Sequence, residues 1–235
     1  MMKPSYSDKI EYVYNSSHWK LLRMLRETCM DIMGTLASQG IRSGVHGSVV
    51  RGDVNLRSDI DIIIPYVISS HLVELALTMN GFKLFSRKIA QATPGHTPKA
   101  HILLDPEEKQ CVTFPLASFR TLELEFYKFG GFLELEGLKA DKRLSGCNKG
   151  LMLIEPTLKG HAESPIRGRE GEVARIVGVR VDIVRERVRV LMRRRKVGRT
   201  GIVLSVHLRE GEVFEEILKR LAFLKPIVRR RLRKG

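Results

Sequence analysis

The sequence has few of the features that secreted or zinc-binding proteins require. Only three of its 235 residues are cysteine, at Cys29, Cys111 and Cys147. An odd number of widely separated cysteines fits neither a disulfide framework nor a zinc knuckle. The seven histidines show no metal-ligand spacing with these cysteines either. We therefore expect a protein of a reducing, cytoplasmic compartment.

Long apolar runs are also missing. The longest is "IIIPYVISS", which is far shorter than the roughly 20 apolar residues of a membrane-spanning helix. The first twenty residues contain no apolar block of signal-peptide length. We therefore expect no membrane partner and no secretory leader. The apolar content of 43% is nevertheless normal for a folded protein.

Negative charge is scarce in the last third of the chain. From Glu163 to Gly235 there are 21 Lys and Arg residues but only nine Asp and Glu residues. The first 162 residues are almost balanced, with 20 basic and 17 acidic residues. This asymmetry predicts two modules, of which the C-terminal one faces a polyanion such as DNA or RNA.

The periodicity of the first 120 residues predicts a mixed α/β module. Residues 16–38 have the apolar spacing of a helix, and Ser16 or Ser17 is a ready N-cap. Later segments read alternately as strands and helices; in order they are "IRSGVH", "SVVRGD", "SDIDIIIPY", "SSHLVELALTMNG", "FKLFSRKIA", "KAHILLD" and "QCVTFPL".

The domain boundaries follow from composition. We expect a catalytic-type domain with an N-terminal helix at 1–125, a β-rich extension and linker at 126–162, and a basic domain at 163–235. The stretch "TLELEFYKFGGFLELEG" reads either as two short strands or as a helix broken at Gly130–Gly131. The segment "HAESPIRG" has the composition of a linker.

Two aspartates inside an apolar run give the first functional signal. Asp59 and Asp61 are one residue apart, so on a strand they point to the same face, about 6.5–7 Å apart at Cα. Two like charges held side by side destabilise a fold unless a cation lies between them. Mg²⁺ prefers such oxygen ligands together with substrate phosphates.

A Gly-Ser pair, Gly47 and Ser48, lies upstream of Asp59, and ten residues separate Ser48 from Asp59. Gly47 allows the backbone to approach a ligand, and Ser48 begins a helical turn whose N–H groups suit a triphosphate. Arg51 could add positive charge against the phosphates. Two Mg²⁺ ions on Asp59 and Asp61 would stabilise both oxygens of a phosphoryl displacement.

The string "GSVVRGDVNLRSDID" resembles the signature of the DNA polymerase β-type nucleotidyltransferases, especially their minimal archaeal and bacterial members. The resemblance covers roughly residues 20–125. It implies a mixed sheet flanked by helices and the transfer of a nucleoside monophosphate from a triphosphate to an acceptor. By position it implies Asp59 and Asp61 as metal ligands and Gly47 and Ser48 as phosphate-binding residues.

The chain departs from this family at the third carboxylate, which normally comes from a later strand. Here that strand is expected to be "QCVTFP", which has Val112 and Thr113 at the relevant place. Among the acids nearby, which are Asp105, Glu123 and Glu125, we favour Glu125 as the third catalytic carboxylate. The alternative is a degenerate site that binds a nucleotide without turnover.

The basic region contains a second motif. Ala174, Gly178 and Val184 have the A-x3-G-x5-V spacing that resembles a helix-turn-helix. It predicts helices at about 170–177 and 182–195. The second helix would have an inner stripe of Val181, Val184, Val188 and Leu191.

Five arginines are the predicted contacts to nucleic acid. They lie in the turn, on the outer face of the second helix, and at the tip of an expected wing hairpin in "VGRTGIVLSVHL": Arg180, Arg185, Arg189, Arg193 and Arg199. The end of the chain, "LKRLAFLKPIVRRRLRKG", reads as a basic amphipathic helix followed by a charged tail that contacts phosphates. A helix-turn-helix that only contacts protein is the alternative.

The whole chain resembles archaeal predicted nucleotidyltransferases with a C-terminal helix-turn-helix. Its fold class is therefore α/β, with a small winged helix-turn-helix domain after the mixed sheet. The first hypothesis for function is a Mg²⁺-dependent nucleotidyltransferase that acts on or near DNA or RNA. The second is a DNA-binding regulator with a non-catalytic nucleotide site, and the third is an AMP-adding, antitoxin-type protein modifier. A homodimer is possible, because many helix-turn-helix proteins bind paired half-sites.

Overall fold

The structure is a computed structural model that describes residues 9–198 and 201–233. These residues form helices and two sheets. The strands are β1 (Ile10–Val13), β2 (Gly44–His46), β3 (Ile60–Ile63), β4 (Ser86–Gln91), β5 (Lys99–Leu103), β6 (Gln110–Pro115), β7 (Phe132–Glu134), β8 (Gly146–Cys147), β9 (Met152–Thr157), β10 (Gly160–Pro165) and β11 (Leu204–His207). The helices are α1 (Ser16–Ser38), α2 (Ser48–Arg51), α3 (Ser70–Met79), α4 (Thr121–Phe129), α5 (Leu135–Lys139), α6 (Glu170–Val177), α7 (Val181–Val197), α8 (Phe214–Leu224) and α9 (Pro226–Leu232). No helix in this described part is long and apolar enough to cross a bilayer.

The chain divides into two compact units that interleave along the sequence. The first unit takes the described residues of Met1–Glu27, His46–Ser58 and Glu125–Arg199. The second takes those of Thr28–Val45, Asp59–Leu124 and Thr200–Gly235. This division differs from the consecutive domains at 1–125, 126–162 and 163–235 that composition predicts.

The first unit contains an antiparallel sheet with the strand order β1-β10-β9-β8. Its register places Ile10 opposite Glu163. Strand β10 is therefore an inner strand, and the prediction of a linker at 161–168 is wrong. The polar composition misleads because His161 and Ser164 are buried polar residues.

A buried tyrosine connects β10 to the beginning of α1. The Tyr14 hydroxyl lies 2.6 Å from Nδ1 of His161, whose Nε2 lies 3.2 Å from a Glu163 oxygen. Burial, followed by the negative charge of Asp53, raises the pKa of the Tyr14 hydroxyl, which therefore stays protonated. The Tyr14 ring also stacks on the His18 ring at 3.6 Å between centroids.

Helix α1 has the bounds that the periodicity predicts, but its cap is different. The Asn15 side-chain oxygen accepts hydrogen bonds from the backbone N–H of His18 at 2.9 Å and from the Ser17 hydroxyl at 2.8 Å. Asn15 is thus the N-cap, and Ser16 and Ser17 lie in the first turn. An asparagine directly before two serines made the position ambiguous by one residue.

The second unit contains a mixed sheet in which its strands follow the order β11-β4-β5-β6-β3-β2. Strands β3 and β6 are parallel, whereas β6, β5, β4 and β11 pair antiparallel. The prediction of a mixed α/β arrangement is confirmed at this level. One face of the sheet is apolar and buried, with Ile62, Ile89, Ile102 and Val112.

The basic C-terminal segment forms two helices. Arg231 of α9 is buried, and its guanidinium donates hydrogen bonds of 2.6 Å to the Thr97 hydroxyl and 2.6 Å to the Ser118 carbonyl oxygen. It also lies 3.6 Å from the Glu123 carboxylate. The sequence predicts a charged tail here, but at Arg231 the charge is internal.

We predict that Gly160→Ala strongly destabilises the first unit. An added Cβ would lie 1.9 Å from the Tyr12 carbonyl oxygen, where β10 passes β1. Relieving this overlap requires the strands to separate, so we expect a loss of about 3 kcal/mol in the free energy of unfolding. Urea unfolding followed by the fluorescence of Trp19, the single tryptophan, measures it.

Gly171→Ala is the matched control, since Gly171 lies in α6 and an added Cβ there meets open space. We expect it to gain about 0.5–1 kcal/mol from helix propensity. Equal stability of Gly160→Ala and the unaltered protein would contradict the close approach of β1 and β10.

Candidate functional site

The Gly-Ser turn of the motif has a backbone that requires glycine. Gly47 precedes α2 with φ 99°, and Gly52 follows α2 with φ 103° in the left-handed region. The N–H groups of Val50 and Arg51 both donate to the Gly47 carbonyl oxygen, at 3.1 and 3.3 Å. The first two N–H groups of α2, on Ser48 and Val49, have no hydrogen-bond acceptor within the helix, because no helical carbonyl group comes before them in the chain. The turn therefore has the local form that the sequence predicts.

Ser48 connects this turn to the residue before the first aspartate. Its hydroxyl donates a hydrogen bond of 3.2 Å to the hydroxyl of Ser58. The Ser58 hydroxyl also accepts from the backbone N–H of Asn55 at 2.9 Å. Both serines belong to the first unit, so this bond closes the loop from Ser48 to Ser58 within that unit, whereas Asp59 and Asp61 belong to the second unit.

Arg51 is engaged in internal contacts. The guanidinium contacts both carboxylate oxygens of Asp53, at 2.9 and 3.0 Å, and donates another hydrogen bond to the Gly130 carbonyl oxygen. Both side chains of the ion pair are largely buried. These contacts favour a structural role for Arg51, whereas the sequence analysis assigns it to phosphate binding.

Asp59 and Asp61 lie at the start of β3 in the second unit. Asp59 is exposed and directly precedes the strand, and Asp61 is partly buried within it. The parallel register places Asp61 opposite Cys111 and Ile63 opposite Thr113. Because side chains alternate along a strand, the two aspartates share the face of the sheet that also carries Cys111 and Thr113.

Strand β6 is the strand expected to carry the third carboxylate, and it carries none on this face. Each nearby acid has other partners. The Asp105 carboxylate accepts hydrogen bonds from the backbone N–H groups of Lys109 and Gln110 at 3.2 and 2.7 Å. Glu123 accepts from the Thr97 N–H at 2.8 Å and from the Thr97 hydroxyl at 2.7 Å.

Glu125, the favoured third carboxylate, lies in α4 within the first unit. Its carboxylate forms an ion pair of 3.3 Å with Arg180. Helix α4 ends before Gly130–Gly131, and strand β7 follows these glycines. The segment is therefore a helix followed by a strand, whereas the sequence predicts either two short strands or a broken helix. The ion pair supplies a partner for Glu125 within its own unit.

A neutral polar group occupies the face of β6 and β5 beside Asp61. The Thr113 hydroxyl lies 2.9 Å from Nδ1 of His101, and the Cys111 sulfur lies 3.7 Å from the same nitrogen. Burial, with the nearby positive charge of Lys99, lowers the pKa of His101 to about 3. Burial also raises the pKa of the Cys111 thiol to about 12. At neutral pH the imidazole and the thiol are therefore both uncharged.

Lys99 places a partly buried amino group on this face, which the sequence patterns above do not predict. Burial lowers the pKa of the Lys99 ammonium, against the opposing effect of the negative charges of Glu123 and Asp61. The ammonium lies 5.3 Å from the centre of the Phe119 ring. The string "KAHILL" contained the signal, because residues 99 and 101 share a face under strand alternation.

The side chains beside Asp61 limit how a divalent ion can be held. Two carboxylates, Asp59 and Asp61, are hard oxygen ligands that fit Mg²⁺. Cys111 is protonated and Thr113 is bonded to His101, so neither supplies a third charge. Among the described residues, no three His, Cys, Asp or Glu side chains form a group that could hold a metal ion. The described side chains of this face therefore offer two carboxylates, Asp59 and Asp61, as candidate ligands for a divalent ion.

The predicted helix pair of the basic region is present. Helix α6 has the predicted bounds, and Gly178 ends it with φ 71° in the left-handed region. Ala174 and Val184 are buried in a common core. Val188 and Leu191 are buried in the same core, and Val181 packs against it, so the predicted inner stripe of α7 is confirmed.

The predicted arginines of α7 lie on its solvent side. Arg185, Arg189 and Arg193 are exposed. Arg187, which the sequence analysis did not single out, instead lies with its guanidinium 4.9 Å from the centre of the Phe126 ring. Arg180 is half-exposed and paired with Glu125.

The predicted wing is wrong. Helix α7 continues to Val197, where the first strand of the hairpin was expected. Strand β11 then pairs antiparallel with β4, with Val206 opposite Ile89, inside the second unit. The string "IVLSVHL" is strand-like in composition, but composition does not identify its partner strand. Arg199, the expected tip of the wing, lies outside the described residues.

Neither a scan of the chain against protein-family models nor a search of curated protein sequences finds a match.

We predict that Arg51→Met destabilises the first unit in the absence of any nucleotide. The substitution leaves the buried Asp53 carboxylate without its partner, which costs about 3–5 kcal/mol. Arg57→Met, at an exposed position of the same loop, is the control and should change stability little. Trp19 fluorescence during urea unfolding measures both variants. If Arg51→Met keeps its stability and loses only nucleotide affinity, Arg51 is a phosphate ligand.

Proposed function

We propose that this chain is a Mg²⁺-dependent nucleotidyltransferase coupled to a nucleic-acid-binding helix-turn-helix. The observation that carries the proposal is the hydrogen bond from Ser48 to Ser58. It closes the loop between a glycine-dependent turn and the residue directly before the two aspartates. The residues that resemble the nucleotidyltransferase signature thus include a fixed turn at α2 that is suited to binding a phosphate.

In the proposed reaction, an acceptor hydroxyl oxygen bonds to the α-phosphorus of a nucleoside triphosphate, and pyrophosphate leaves. The hydroxyl proton passes to solvent, because β6 offers no carboxylate on the Asp61 face to accept it. Ser48 would bind a phosphate oxygen through its backbone N–H group. The Gly47 N–H already donates to the Gly131 carbonyl oxygen at 3.0 Å, so Gly47 would instead allow the phosphate to approach the backbone closely. Asp59 and Asp61 would hold Mg²⁺, which supplies positive charge against the triphosphate when bound.

The proposed metal requirement differs from what the family resemblance implies. The resemblance implies two ions and a third carboxylate. Because Cys111 and Thr113 stand beside Asp61, we propose that the protein itself holds one ion. The Lys99 side chain lies on the same face of the sheet and would add positive charge there when protonated, as a bound triphosphate would favour.

The helix pair α6–α7 would bind DNA or RNA through α7. Arg185, Arg189 and Arg193 recur every four residues, so they form one exposed basic row along the helix. Such a row matches the phosphates and base edges of a duplex groove. The excess of basic residues in the last third of the chain supports the same partner.

A specific observation favours the second hypothesis, a DNA-binding regulator with a nucleotide site that does not turn over. The Asp61 face of β6 has a protonated thiol and a bonded hydroxyl where a carboxylate is expected. Such a site could bind a triphosphate with one ion and react slowly or not at all.

We expect Asp59→Asn combined with Asp61→Asn to abolish transfer while leaving the fold intact. Removing both charges removes the ligands for Mg²⁺, and also relieves their mutual repulsion. The assay incubates the protein with each α-³²P-labelled triphosphate, Mg²⁺, and DNA, RNA or cell lysate. Asp31→Asn, an exposed carboxylate of α1, is the matched control and should retain activity.

Each result of this assay selects one hypothesis. Label on DNA or RNA that disappears in the double variant supports the proposed transferase. Label on a protein band supports the AMP-adding modifier. Triphosphate binding that needs Asp59 and Asp61 but gives no transfer supports the regulator. Transfer that survives in the double variant overturns the proposed site.

We predict that Arg185→Ala combined with Arg189→Ala weakens duplex binding about tenfold or more, because two contacts to the duplex are lost. Arg23→Ala combined with Arg175→Ala removes the same charge from exposed positions elsewhere and should have a smaller effect. Fluorescence anisotropy with a labelled duplex at moderate salt compares them. Equal affinities of the two double variants would count against α7 as the contact surface.

A further inference from the structure

The first unit contains a cleft beside the C-terminal end of α7. Its volume is about 440 Å³. Its apolar lining residues, termed the floor, include Met152 and Pro165, which are register partners on β9 and β10, and Met192 from α7. Met192 is 38% exposed, so its thioether is accessible from solvent. The floor is therefore an accessible apolar surface made of thioether and aliphatic groups.

The charged side chains that line the cleft, termed the rim, are all basic. Arg167, Arg195 and Lys196 line it, and no acidic side chain does so among its described lining residues. Arg195 also donates a hydrogen bond of 2.6 Å to the Gly150 carbonyl oxygen. This bond holds the end of α7 against the turn between β8 and β9. The cleft is thus preformed, and its charge calls for an anionic partner.

The chemistry of the floor discriminates between anionic partners. Single-stranded nucleic acid would match the basic rim, but its bases bind by stacking on aromatic rings. No aromatic side chain is among the described residues that line the cleft. Methionine surfaces instead adapt to apolar side chains of peptides, because the thioether is flexible and polarisable. The combination fits a peptide that carries an apolar anchor between acidic residues.

We propose that this cleft binds an acidic peptide segment of a partner protein, with one large apolar side chain on the methionine floor and carboxylates at the basic rim. This binding site is separate from the proposed nucleotide chemistry and does not depend on it. It gives the basic module a protein partner in addition to the proposed nucleic-acid surface of α7.

The proposal is tested on the full chain with a fluorescein-labelled, ten-residue peptide made of leucine pairs flanked by glutamates. Two control peptides separate the contributions of floor and rim. One replaces leucine with serine at the same charge, and the other replaces glutamate with glutamine at the same apolar content. We expect measurable anisotropy for the first peptide and at least tenfold weaker binding for each control.

Met192→Glu is the decisive variant, because it places a carboxylate on the floor against the acidic peptide. The substitution is compatible with α7, since Glu is a good helix former and lies four residues before Lys196. Arg175→Gln, in α6 outside the cleft, lowers the net charge by the same amount and is the matched control. We expect Met192→Glu to weaken peptide binding at least tenfold and Arg175→Gln less than twofold. Circular dichroism verifies that both variants are folded.

The outcomes are decisive in either direction. Loss of binding in Met192→Glu with retention in Arg175→Gln supports the proposal. No binding of the leucine–glutamate peptide, or equal binding to both variants, overturns it. Binding of a single-stranded oligonucleotide that Met192→Glu abolishes, without peptide binding, would assign the cleft to nucleic acid and likewise overturn it. Nucleotide transfer is measured separately, so its failure leaves the result unaffected.

Discussion

The segment from Gly47 to Ser58 is held by a conformational constraint on which the candidate chemistry depends. Two glycines with φ near +100° bracket a single helical turn, and no other residue type adopts that backbone readily. Arg51, at the end of this turn, forms a buried ion pair with Asp53, just beyond Gly52, and also donates a hydrogen bond to the Gly130 carbonyl oxygen. The turn is therefore shaped by the protein itself. A ligand that binds its N–H groups would meet a preformed surface and would not have to order a loop.

The elements that could be predicted from the sequence are those whose determinants are local. The α6–α7 pair follows from Ala174, Gly178 and Val184, because a left-handed glycine and small buried residues specify a tight turn between helices. Strands β3 to β6 follow from alternation and from the turn residues between them. In each case the information lies within about ten residues of the feature.

The predictions that are wrong concern residues whose contact partners are distant in sequence. Strand β10 has a polar sequence but buried residues, because the His161 imidazole forms a hydrogen bond with the Tyr14 hydroxyl, 147 residues earlier in the chain. The strand β11 was expected in a wing, but its partner β4 lies more than 100 residues earlier. Arg51 was assigned to a ligand, whereas its contacts to Asp53 and Gly130 satisfy its donors. Lys99 and His101 were overlooked because their common face matters only once β5 lies beside β6.

The pairing of β1 with β10 has a consequence for biosynthesis. Ile10 is synthesised about 150 residues before its partner Glu163. Until β10 has been synthesised, β1 has no partner strand, and its backbone N–H and C=O groups remain open to pairing with other strands. Contacts of such high sequence separation slow folding, so the first unit should complete itself only after most of the chain has left the ribosome.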